Sequence, residues 1–204
     1  MVKNNYPLPL ILDVIKNISI KKMFMKIDLR WGYNNMRIKE ENEWKVAFTT
    51  PERLFEPTVI FFGLTNSLAT FQTMINELLR DLINTGKVAV FINDIIVGME
   101  DEEEHNGLVA EVVKRLEKNN LYVKPEKYKW KVREVGFLEV MIGPEETKIE
   151  EEKVKEVLDW LTPKCIKDVQ KFLELANYYH QFIQNFTTIA KLLHDMVKKN
   201  QKWK

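Results

Sequence analysis

A chain of 204 residues with 45% hydrophobic content can bury one large core or two modest ones, and its 31 Lys plus Arg against 30 Asp plus Glu leave a net charge of only +1. That balance excludes a broadly basic surface, so any grip on phosphates is weak or runs through a local patch. The single cysteine, Cys165, can form no intramolecular disulfide, there is no signal peptide, and no run approaches the roughly 20 apolar residues of a membrane span. An intracellular protein, cytoplasmic or nuclear, with no membrane partner is expected.

In chain order, the spacing of Leu10, Ile11, Val14 and Ile15 predicts a helix over 7–18, with Pro7 near its first turn. Residues 23–29, 35–39 and 44–49 read as strands. The first of these, Met23 to Leu29, carries a carboxylate, Asp28, at its end, and Gly32 permits a sharp turn beyond it. An acid closing an apolar strand is costly to bury unless something pairs with it, and a divalent metal is one such partner. A helix from Ser67 to about Ile83 puts Leu68, Phe71, Met74, Ile75, Leu78 and Leu82 on one face, with Ser67 as its cap.

Val88 to Val97 then reads as a β-hairpin, two apolar runs pinched around Asn93-Asp94 at the tip. Asp28 and Asp94 could converge on metal ions about 3.5–4 Å apart only if their strands lie side by side. The acidic run 100–104 opens a helix through Leu108, Val112, Val113, Leu116 and Leu121, where acids at the N-terminus complement the helix dipole. Short strands are expected near 121–124 and 134–142, and Gly143-Pro144 is the clearest break. Residues 151–160, 166–176, 177–184 and 186–199 all read as helices. The basic tail Lys198–Lys204, with Trp203 inside it and Lys191 upstream, reads as a solvated helix end or as a cationic strip for a nucleic-acid backbone. His105 and His194 have no spacing that suggests a metal site.

The order of several segments carries a resemblance. Lys26-Ile27-Asp28-Leu29-Arg30-Trp31-Gly32-Tyr33, Lys45-Val46-Ala47-Phe48-Thr49-Thr50, Phe61 to Gln72, Phe91-Ile92-Asn93-Asp94, Val123 to Lys127, Val135 to Leu138, Trp160 to Pro163 and Val169 to Leu173 follow one another. In that order and spacing the chain resembles the reverse transcriptase of gypsy-type LTR retrotransposons. The resemblance implies an α+β fold: a polymerase palm-like antiparallel sheet with packed helices and partial fingers over 1–143, then a small helical thumb-like subdomain over 144–204. It also implies DNA synthesis by two-metal phosphoryl transfer, with Mg²⁺ or Mn²⁺, an RNA or DNA template–primer and a deoxynucleoside triphosphate (dNTP) as partners.

Carried over position by position, Asp28 and Asp94 become metal ligands, with the Leu29 carbonyl beside them. Tyr33 lies under the incoming sugar, and Phe62, Gly63 and Gln72 shape the nucleotide and template pocket. Phe137, Leu138 and Glu139 contact the primer. Lys127 lies near the lysine that protonates the leaving pyrophosphate. Phe91 replaces the usual tyrosine.

The departures bear on activity. Asn93 stands at the first acid of the family's hairpin pair, and an amide there removes one anionic ligand. Such a loss is worth several kcal/mol, about two to four orders of magnitude in rate. Glu139 and Glu174 stand where the family has glycine, Leu68 where it has proline and His180 where it often has arginine. The upstream fingers strands and the connection and RNase H domains are not seen, and the chain reads as beginning part-way through a domain. The expectation is a reverse transcriptase-like fragment disabled by Asn93, Glu139 and the missing fingers. One alternative is a retained non-catalytic module that binds nucleic acid, or a protein partner or second copy over surface the fingers would cover. A third reading keeps polymerisation on Asp28 and Asp94 alone, with Mn²⁺.

Overall fold

The computed structural model describes residues 3–198, a mixture of helices and antiparallel sheets. It comprises two compact units, one formed by residues up to 138 with 142–147, the other by 139–141 with the residues from 148 onward.

The first unit runs α1 (Ile11–Ser19), β1 (Met23–Asp28), β2 (Phe48–Thr49), β3 (Leu54–Phe55), α2 (Ser67–Leu78), α3 (Arg80–Asn84), β4 (Val88–Phe91), β5 (Asp94–Met99), α4 (Glu102–Lys118) and β6 (Lys129–Val132). Its main sheet has the order β4-β5-β1-β6, with β1 antiparallel to both neighbours. The central strands read as continuous apolar runs because both faces are covered: Phe24, Met25, Ile27, Ile95, Ile96 and Val97 are all fully buried. Phe71 and Ile75 of α2 and Val109, Val112 and Leu116 of α4 join Met25, Ile27, Val88, Val90, Ile95 and Val97 in one core. Helix α1 packs on β4 and β5, and Gly98 lets Ile18 approach, since a Cβ there would lie 2.9 Å from its Cδ1.

Several expected elements differ, each for a local reason. Helix α1 starts at Ile11, after an extended Leu10; Pro9 already disfavours the helical region for Leu8 before it. No strand forms over 35–39: Gly32–Asn35 is a 3-10 turn, and beyond it only an isolated Arg37–Val59 bridge forms. Residues Glu43–Val46 are likewise a 3-10 turn, leaving β2 just two residues long. The Ser67 helix breaks at Leu79, and Ser67 is buried inside its first turn with Oγ donating to the Phe61 carbonyl at 2.9 Å. The acids before α4 do cap it, since Asp101 accepts from the Glu103 and Glu104 amides at 2.9 and 3.0 Å. Residues 121–124 supply an isolated Leu29–Val123 bridge rather than a strand. Strand β6 escapes a hydrophobicity reading because Lys129 and Lys131 give it the charged pattern of a sheet edge.

Strands β7 (Val135–Phe137), β8 (Val140–Ile142) and β9 (Thr147–Ile149) form a three-stranded sheet in that order. In the second unit α5 (Glu151–Leu158), α6 (Ile166–Tyr178) and α7 (Phe186–Met196) follow, with Val169 and Leu173 of α6 packing against Ala190 of α7. The helix expected over 177–184 is a short 3-10 turn, His180–Phe182. Of the basic tail, Lys198 pairs with Asp195 at 2.5 Å; Lys199–Lys204 lie outside the described residues. No helix among the described residues is long and apolar enough to cross a membrane.

Candidate active site

The last residue of β1 and the first of β5 are acids, and the antiparallel register sets them opposite one another: Asp28 pairs with Asp94. Side chains two apart on a strand share a face, so Lys26 lies on Asp28's side of the sheet. It reaches diagonally across to Asp94, Nζ to Oδ1 3.2 Å. Two further lysines cover Asp28, whose side chain is 14% exposed: Lys124 Nζ donates to Oδ1 at 2.7 Å and Lys127 Nζ to Oδ2 at 3.2 Å. Burial alone would raise the Asp28 pKa, but the two ammonium groups outweigh it and hold the carboxyl below its ordinary value. Two carboxylates and three lysines therefore share one corner of the sheet. Lys26 and Lys124 escaped the sequence reading, although the period of two before Asp28 and the three-residue step before Lys127 are visible in it.

The tip of the hairpin is shifted by one residue from its expected place. Phe91 pairs with Asp94, so the turn residues are Ile92 and Asn93, and Asp94 belongs to the strand. Ile92 takes a left-handed φ of +54°, a strained state for a β-branched residue. Gln72 holds it there. Its Oε1 accepts the Ile92 amide at 2.7 Å, while Nε2 donates to Asn76 Oδ1 at 2.8 Å and to the Val90 carbonyl at 3.3 Å. Gln72 is fully buried, and these bonds make it a strut under the hairpin. The Leu29 amide ties the same tip to β1 by donating to the Asn93 carbonyl at 2.9 Å.

Asn93 Oδ1 is buried without a hydrogen-bond partner. It packs against Gly32, where an added Cβ would collide with that oxygen and lie 2.9 Å from Phe71 Cζ. Gly32 thus serves close approach; the left-handed residue of this turn is Trp31, at φ +51°. Tyr33 is buried edge-on between Phe62 at 4.7 Å and Phe71 at 5.5 Å, and burial raises its hydroxyl pKa. Phe62 itself is 78% exposed, and the Gly63 backbone beside it is left-handed at φ +94°.

The three expected primer contacts are not alike. Phe137 is fully buried, with Lys26 Nζ 6.0 Å above its ring, and presents no surface to a primer. Leu138 and Glu139 make the β7–β8 turn with φ +53° and +64°, the pair of left-handed residues that a two-residue hairpin turn demands. The Glu139 carboxylate has two partners, Oε2 accepting from the Tyr179 hydroxyl at 2.7 Å and Oε1 lying 3.4 Å from Lys153 Nζ, while its side chain stays 47% exposed. Burial and this hydrogen bond together raise the Tyr179 pKa.

Asp28 and Asp94 suit a divalent ion that takes one or two protein carboxylates and completes its shell with phosphates and water. Among the described residues no group of three or more His, Cys, Asp and Glu is arranged to hold a metal. The donor set fits one ion better than two.

An antiparallel sheet backed by helices, with facing acids at adjacent strand ends, is the frame of a polymerase palm. The chain belongs to the family described as reverse transcriptase (RNA-dependent DNA polymerase), whose model matches residues 2–142, more than half its length. It is 32% identical over 198 residues to the retrovirus-related Pol polyprotein from transposon gypsy of Drosophila melanogaster, covering 97% of the chain and 19% of the polyprotein. It is 31% identical over 201 residues to the transposon Tf2-3 polyprotein of Schizosaccharomyces pombe, covering 98% of the chain and 15% of that relative. The chain therefore spans less than a fifth of either polyprotein. Among solved structures it is similar to the foamy viral protease-reverse transcriptase in complex with RNA/DNA hybrid, at 25% identity and TM-score 0.88 over 100% of this chain and 28% of that one. A second structure of the foamy viral enzyme, in complex with double-stranded DNA, matches at 25% identity and TM-score 0.91 over 100% of this chain and 36% of that one.

Proposed function

We propose that the chain is the palm, over 1–143, and the thumb-like portion, over 144–204, of an RNA-directed DNA polymerase whose catalysis is slowed by Asn93. The observation that carries this reading is the direct opposition of Asp28 and Asp94 across β1 and β5 in a chain of this family. In this reading the two carboxylates hold Mg²⁺ or Mn²⁺, with the Leu29 carbonyl nearby. The metal supplies charge stabilisation for the transferring phosphoryl group. Tyr33, Phe62 and Gly63 receive the dNTP, and Lys127 offers a proton to the leaving pyrophosphate. Template–primer binding is suggested by the foamy viral enzymes, which were solved with RNA/DNA hybrid and with double-stranded DNA.

Asn93 weakens the chemistry because an amide brings no negative charge, and because its oxygen is buried against Gly32. Primer extension tests this with the unmodified chain, Asn93→Asp and Asp28→Ala, each with Mg²⁺ and with Mn²⁺. Asn93→Asp is expected to gain about two to four orders of magnitude in rate. Robust synthesis by the unmodified chain that disappears in Asp28→Ala overturns the slowed catalysis; no gain in Asn93→Asp removes that position from the metal site.

The excess of lysine over carboxylate at the site favours a second reading, a module that binds nucleic acid without chemistry. It requires Asp28→Ala to retain template–primer at low salt without divalent ions. Undetectable binding there would leave a protein partner or self-association.

A further inference from the structure

The segment Lys124-Pro125-Glu126-Lys127 is built as a clamp. Pro125 opens a single 3-10 turn, Pro125–Lys127, at a position where its missing N–H costs nothing. Lys124 precedes the turn as its extended N-cap and Lys127 closes it, and both side chains reach Asp28. The Lys124 amide donates to the Asp28 carbonyl at 2.9 Å, and the adjacent Val123 bridges Leu29. The main chain therefore fixes the clamp against the end of β1 before either side chain reaches out. The two ammonium groups then take one oxygen of Asp28 each, Lys124 at 2.7 Å and Lys127 at 3.2 Å. Lys124 is the tighter of the two and the more enclosed, with its side chain 29% exposed against 59% for Lys127.

We propose that Lys124 is a positioning residue that competes with the divalent cation for Asp28 Oδ1, so that metal loading requires its release. The inference rests on the reading of Asp28 and Asp94 as the metal carboxylates. A cation seated on a carboxylate oxygen at about 2.0–2.1 Å cannot share that oxygen with an ammonium hydrogen bond of 2.7 Å without placing two like charges against each other. Lys26 on Asp94 adds a weaker version of the same competition from the neighbouring strand. The divalent affinity of the site is thus set by its lysines as well as by its acids.

Mn²⁺ titration followed by electron paramagnetic resonance tests this on the full chain, with folding checked by circular dichroism. Lys124→Met is expected to tighten Mn²⁺ binding about tenfold. Lys127→Met tightens it less, Lys124→Arg leaves it weak, and the exposed Lys118→Met, which changes net charge equally, leaves it unchanged. If Asp28→Asn abolishes Mn²⁺ binding but Lys124→Met shifts it less than about twofold, the competition is refuted and the metal assignment stands. If Asp28→Asn binds Mn²⁺ as the unmodified chain does, the metal assignment itself falls, and the competition with it. Should Lys124→Met fail to fold, Lys124→Gln removes the same charge while keeping a polar side chain, and the same shift is required of it.

Discussion

Replacing Gln72 with Leu separates a strut from a ligand-binding residue. Leucine fills much the same volume, so the loss is confined to hydrogen bonds: the Ile92 amide, the Val90 carbonyl and Asn76 each lose a partner. A polar group stranded in the interior costs about 1–3 kcal/mol. The Val90 contact is long, which puts the Ile92 amide at the centre of the effect. That amide also stabilises a left-handed isoleucine whose backbone costs about 1–2 kcal/mol to hold. That strain is carried by the unmodified chain too, so the stranded amide sets the effect: a local destabilisation of about 2 kcal/mol, or about a thirtyfold loss of hydrogen-exchange protection. Mass-spectrometric exchange should show the loss over 88–99 and at Leu29, whose amide donates to the same tip, while α6 keeps its protection. Gln72→Glu retains the acceptor for Ile92 and should fall between. Unchanged protection of the hairpin in Gln72→Leu, to within about threefold, would refute the strut and return Gln72 to the nucleotide pocket.

Two other substitutions probe the same unit. Gly32→Ala drives a methyl group into Asn93 Oδ1 and towards Phe71 and should lower stability by about 1–3 kcal/mol; most of that should return in the double variant with Asn93→Gly, measured by urea denaturation. His105, fully buried with neither ring nitrogen hydrogen-bonded, has its pKa lowered by burial first and by Lys131 second, against the pull of Glu102. The unfolded chain therefore takes up the proton at higher pH than the folded one, so stability is fully present above about pH 6.5 and is lost as pH falls through the lower folded value. The fall in urea midpoint between about pH 7.5 and about pH 5.5 should shrink in His105→Leu, and an identical fall would show that His105 does not titrate in the unfolding.

Much of the first unit was legible because its signals are local. The apolar runs of β1, β4 and β5, the face of α2 and the acids before α4 all follow from nearest-neighbour periodicity and capping. Elements whose stability comes from distant partners were missed. Strand β6, Lys129-Trp130-Lys131-Val132, looks like surface until β1 is placed beside it. The run 35–39 reads as a strand, yet only Arg37 within it is paired, in an isolated bridge to Val59. Glu139 shows the same limit at a candidate site residue. The sequence marks it as a primer contact, but its partners, Tyr179 and Lys153, lie 40 and 14 positions away.

By itself the order of motifs was enough to name the family, to mark Asp28 and Asp94 as the acids to watch, and to draw attention to the amide Asn93 beside them. Only the tertiary structure decided that these acids face each other in register, that Ile92 and not Asp94 shares the turn with Asn93, that Gln72 is spent inside, and that Lys26, Lys124 and Lys127 cover the carboxylates. The physical reason is the range of the interactions. Propensity and periodicity act over a few residues, whereas the β1–β5 register, the bond from Ile92 to Gln72 and the charge pairs on Asp28 and Asp94 join residues 20 to 99 positions apart, and their partners exist only once the chain has folded.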